Sequence, residues 1–210
     1  MKLTSALKQY SQRRRDARAA KLPTGYIDLV ELARLGLVQA TGTGQSITGI
    51  KADIRSRVNI PLKVAVLHGT YFVSQGNHQN MATRREYDFQ LSPMGNERIN
   101  VPAACINASL PVPKESDRFA GVSRVPDTVR RFMEAAEGEE AMVIQAGVWT
   151  LTDGFSRARI QSSLRRVPKT SSGPITTLSS RGLDSVPAIS NQQIDRAKSI
   201  LDSLHIKHHL

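Results

Sequence analysis

The sequence predicts an α+β protein. It reads as an antiparallel β-sandwich of about six to seven strands with a helical cap, a basic N-terminal arm and a C-terminal helix. Three observations carry this reading. Between Leu37 and Asn107, short segments alternate apolar and polar residues and are separated by turn signals. After Pro111 the apolar period lengthens from two residues to that of a helix. Aromatic residues make up only 5% of the chain, so its core must rest on Val, Ile, Leu and Ala.

Residues 1–21 form the basic arm. Lys2, Lys8, Arg13, Arg14, Arg15, Arg18 and Lys21 stand against one acid, Asp16, and supply more than half of the net charge of +11. Leu3, Leu7 and Tyr10 recur at helical spacing, and Ala17, Ala19 and Ala20 favour helix. An arm lying on a partner and a solvated tail are the two readings. After the break LPTG, Asp28 can cap a short helix whose Leu29, Leu32, Ala33 and Leu35 share one side and whose end is Gly36; a strand is the alternative.

The strand region follows. Ile50, Ala52 and Ile54 alternate with Lys51, Asp53 and Arg55; Leu62, Val64 and Val66 alternate with Lys63 and Ala65; Tyr87, Phe89 and Leu91 alternate with Asp88 and Gln90. LVQATGTG, TYFVS and ERINVPA complete the set of strands. Each alternation means one buried face and one wet face. The helical cap spans 126–166. Its first helix has Asp127 as cap, Val129, Phe132, Met133 and Ala136 on one face, and Gly138 as stop. The second is EEAMVIQAGVWTLTDG, with two acids in its first turn. The third is capped by Ser156, with Ile160 and Leu164 inward. The division is therefore 1–21 arm, 22–166 sandwich domain with its cap, 167–189 linker or strap, and 190–210 C-terminal helix. Ser190 and Gln193 give the last helix a capping-box pattern.

Gln145 lies on the apolar face of the second cap helix, with Val148 and Trp149 at i+3 and i+4. A buried amide needs a partner, because leaving it unpaired costs about 1–3 kcal/mol. A main-chain group of the sheet is the simplest partner. Cys105, in VPAACIN at the end of a predicted strand, is the other residue of interest. A cysteine and a Q-x-x-x-W helix together resemble the bacterial thioester domains, adhesin modules in which a glutamine side chain acylates a cysteine sulfur. Their helix carries a T-Q-x-A-x-W-like motif; here Gln145 and Trp149 match, while Ile144 and Gly147 stand in place of its Thr and Ala. The resemblance covers roughly 62–153 and extends to β-sandwich modules of uncharacterised bacterial proteins. It implies Cys105 as sulfur donor and Cys105, Gln145 and Trp149 as a candidate thioester or buried polar pair.

Other chemistries find less in the residues. A copper site built from His68, His78 and Cys105 lacks a histidine soon after the cysteine, and no metal or cofactor is expected. GTGQSITG lacks the lysine of a phosphate-binding loop. No catalytic residue is assigned, and no membrane span or signal peptide is read. The lone cysteine leaves no intrachain disulfide, so a cytoplasmic location is expected, with an organelle matrix as the alternative if the basic N-terminus is a transit peptide. The charge favours an acidic or polyanionic partner, with Arg13, Arg14, Arg15, Arg18, Lys21, Arg165 and Arg166 as binding residues. The expected function is a non-catalytic structural or interaction module, docked into a larger assembly through its arm. The alternatives are a sequence-nonspecific nucleic-acid binder and a covalent thioester module.

Overall fold

The computed structural model describes the main chain of residues 2–166 and 186–210 and the side chains of 7–164 and 187–210. The expected linker at 167–189 falls largely outside the described residues, as do the side chains of Arg165 and Arg166. A long basic helix, α1 (Lys2–Ala19), leads into β1 (Ile27–Asp28) and α2 (Leu29–Arg34). Asp28 caps α2 as its sequence suggests, accepting from the Val30 N–H at 2.7 Å.

The strands that follow are β2 (Val38–Ser46), β3 (Gly49–Ser56), β4 (Leu62–Val66), β5 (Thr70–Ser74), β6 (Asn80–Thr83), β7 (Tyr87–Leu91), β8 (Asn96–Ile106) and β9 (Arg118–Arg124). The expected sandwich is overturned: six of these strands close into an antiparallel barrel in the order β2-β3-β8-β6-β5-β9. The remaining layer is a separate small sheet, β1-β4-β7, in which Ile27 of β1 pairs in parallel with Val64 of β4. The closing strand is β9, which the alternation pattern does not reveal. It pairs with β2 along one side (Thr41 with Ala120, Thr43 with Arg118) and with β5 along the other (Thr70 with Arg124, Ser74 with Phe119). Gly121, in mid-strand at φ +79°, takes a conformation that suits glycine. Paired on both sides, the strand closes the barrel and leaves it no sheet edge. The residues that alternate inward line the core: Ile50, Ala52 and Ile54 on β3, Val101 and Ala103 on β8, Met81 on β6, Phe72 on β5 and Phe119 on β9.

The helices α3 (Asp127–Ala135), α4 (Ala141–Asp153) and α5 (Arg157–Ser163) form the cap, and α6 (Asn191–Ser203) packs against α4. Two boundary expectations shift. Pro126, not Asp127, is the N-cap of α3, so Asp127 acts through its charge in the first turn rather than through a cap bond. Likewise α4 starts at Ala141, after both of the acids expected in its first turn. The reciprocal bonds of Ser190 and Gln193 do cap α6. A short antiparallel bridge joins β10 (Arg165–Arg166) to β11 (Val186–Pro187). No helix among the described residues is long and apolar enough to cross a membrane.

Candidate functional site

The arm is helical and docked. Ala19 is buried, and side chains of the helix's second half reach the barrel's loops. Gln12 and Arg15 both donate to the carbonyl of Arg57, at 2.9 and 3.2 Å, and Arg18 donates to the carbonyl of Leu35 at 2.8 Å. Asp16, the one acid of α1, accepts from the main-chain N–H and the side-chain amide of Asn59, both at 2.9 Å. The N–H of Asn59 is the main reason that its carboxyl titrates below the usual carboxylate range.

This docking decides the electrostatics. Arg15 and Arg18 are anchored on neutral carbonyls, and Asp16 is spent on Asn59. Among the described residues, no salt bridge engages Arg13, Arg14, Arg15, Arg18, Lys21 or Arg57. Between α1 and the loops lies a recess of about 340 Å³ lined by Arg14, Arg15, Arg18 and Arg57 with Tyr10 and Ser11, and no carboxylate lines it. Guanidinium groups already held in place by carbonyls lose little further freedom when an oxyanion arrives, so the recess is suited to carboxylates or phosphates. Sequence reasoning named three of these arginines; it missed Arg57, which lies beyond β3 and is brought to the arm only by folding. The basic residues of α5 are engaged otherwise. Arg157 is engaged by Asp195, and Arg159 stacks over Phe155.

The thiol neighbourhood has a definite geometry. β3 begins at Gly49, opposite Pro102 of β8, and the last bond on this side runs from the Ala103 N–H to the Thr48 carbonyl. Beyond it β8 would present an open edge. Gln145 fills the gap: its Oε1 accepts from the Cys105 N–H at 2.9 Å, and its Nε2 donates to the Cys105 carbonyl at 2.7 Å. The amide thus pairs with both main-chain groups of one residue, as a neighbouring strand would. Eight residues on, Asp153 accepts from the Ala108 N–H at 2.9 Å. Gln145 and Asp153 stand about 12 Å apart along the helix, so α4 is clamped at two points, to the end of β8 and to the turn that follows it.

The sulfur faces elsewhere. Cys105 Sγ lies 3.3 Å from Met81 Sδ and 3.7 Å from the Ile47 carbonyl, and burial pushes the thiol up to about 12. Folding therefore joins Cys105 to Gln145 through the main chain of one and the amide of the other. Trp149 is buried beside Phe155, ring centroids 6.1 Å apart. Gly147 has a local cause: a Cβ there would stand 2.0 Å from Cζ of Phe132, so the helix approaches the Phe132 ring too closely for alanine. The three possible copper ligands are not brought to one centre. His78 packs edge-on against Phe119, His68 lies near Glu86, and the cysteine faces Met81.

No family model matches this chain. No curated protein and no solved structure gives a significant match to it either.

Proposed function

We propose that this chain is a non-catalytic interaction module that docks an acidic protein surface through α1. The observation that carries the reading is the arginine recess, four guanidinium groups without a lining carboxylate. The neighbouring turns of α1 argue for protein rather than nucleic acid. Leu7 and Tyr10 are each 62% exposed, three residues apart on one face, and the Arg14 guanidinium lies 5.8 Å from the Tyr10 ring. An apolar pair beside a cationic recess fits a shallow apolar patch rimmed by carboxylates. A phosphate backbone would leave Leu7 with nothing to cover it.

A photo-crosslinking residue at position 10 of the full chain tests this in extract of the source cells. The expected result is a protein adduct that survives nuclease and is lost in the Arg14→Glu/Arg18→Glu variant. An adduct abolished by nuclease would transfer the reading to nucleic acid. So would duplex DNA binding whose logarithmic salt slope falls by about one for each arginine removed.

A further inference from the structure

His68 sits in the turn between β4 and β5 with 5% of its surface exposed, yet neither ring nitrogen has a hydrogen-bond partner among the described residues. A buried imidazole with two idle nitrogens calls for an explanation. Its surroundings are acidic. Nδ1 lies 3.3 Å from Oε1 of Glu86, in the turn before β7, and Nε2 lies 3.6 Å from Oε2 of Glu137, just after α3. Glu134, on the last turn of α3, joins them: one ligand atom each from His68, Glu86 and Glu134 lie within 4.8 Å of one another.

We propose that His68, Glu86 and Glu134 bind a divalent ion of the zinc class, with Glu137 orienting the imidazole from its far side. A tetrahedral zinc with bonds of about 2.05 Å holds its ligand atoms about 3.3 Å apart, which is the spacing of His68 and Glu86. Glu134 must close by at most about 1.5 Å, within reach of a side chain that is 41% exposed. Two carboxylates and a neutral imidazole cancel the charge of a divalent ion. Three protein ligands leave a fourth position for water, and the half-exposed glutamates leave it open to solvent. Glu137, 3.6 Å from Nε2, needs to close by only a few tenths of an ångström to accept from its N–H and complete the carboxylate–histidine–metal arrangement that fixes the tautomer of a ligating histidine. Among the described residues, Arg130 is the cation that bonds a member of this cluster. It bonds Asp127 and one oxygen of Glu134, whose second oxygen stays available.

The test uses the full chain, freed of metal by chelation. His205, His208 and His209 are replaced by asparagine to remove a terminal cluster that could bind zinc by itself. Calorimetric titration with zinc is expected to show one ion per chain. Affinity should fall at least about tenfold in Glu86→Gln and in Glu134→Gln, and about tenfold in Glu137→Gln. Circular dichroism confirms that these partly exposed substitutions leave the fold intact. Cobalt in place of zinc should give the visible absorption of a tetrahedral site, lost in Glu86→Gln. No zinc binding in the triple asparagine chain would overturn the assignment, as would an affinity that Glu86→Gln leaves unchanged.

Discussion

Replacing Gln145 measures what its amide does for the barrel. In Gln145→Leu the side chain keeps most of its bulk, but the Cys105 N–H and carbonyl lose their partners in a buried setting. Each orphaned group costs about 1–3 kcal/mol, so the expected loss is about 3 kcal/mol after partial relaxation. For a chain of this size that lowers the melting temperature by roughly 6–12 °C. Gln145→Glu sharpens the test. A protonated glutamic acid can accept from the N–H and donate to the carbonyl, whereas the carboxylate meets the carbonyl oxygen with like polarity. The folded pKa of that glutamate is therefore raised above its unfolded value of about 4.3. The variant should approach wild-type stability below that value and lose stability as pH rises above it, by up to about 1.4 kcal/mol per unit until the folded pKa is passed. Urea unfolding between pH 4 and 7, compared with wild type, reads both effects. A Leu variant within about 0.5 kcal/mol of wild type would refute the edge-capping argument, as would a Glu variant with no added pH dependence.

Other expected outcomes concern the thiol, the cap helix and the arm. Because burial raises the Cys105 thiol from 9.0 to about 12, native protein near neutral pH should resist iodoacetamide until denaturant is added, and its intact mass should equal the calculated mass rather than fall one ammonia short. The folded state holds that proton more tightly, so the contribution of the thiol is intact below the unfolded pKa. It is lost between about pH 9 and 12, an alkaline loss that Cys105→Ala removes in denaturant titrations. Gly147→Ala should destabilise by about 2 kcal/mol or more in thermal melts, since overlap with Phe132 outweighs a helix-propensity gain of about 1 kcal/mol. Asp16→Ala removes both bonds to Asn59, and trypsin should cleave at Arg13 to Arg18 about fivefold faster, as expected for about 1 kcal/mol less docking energy; an unchanged rate would mean that the arm is held elsewhere.

Local pattern carried much of this protein. Alternation over 50–54, 62–66 and 87–91 marked β3, β4 and β7, because a pleated strand with one wet face writes its period directly into the residues. Asp28, Ser156 and Ser190 announced the helix starts they cap, since a cap bond joins residues two or three apart. The amide of Gln145 could be placed in a buried helix face, and its need for a partner followed from desolvation alone. Tertiary structure decided the rest. A sandwich became a barrel because β9, which shows no apolar–polar alternation, pairs with β2 on one side and β5 on the other. Arg57 joined the arm across the chain, and His68 met Glu86, Glu134 and Glu137 from three separate segments. Such meetings depend on which surfaces pack together, and burial energy follows total apolar area rather than any fixed spacing along the sequence.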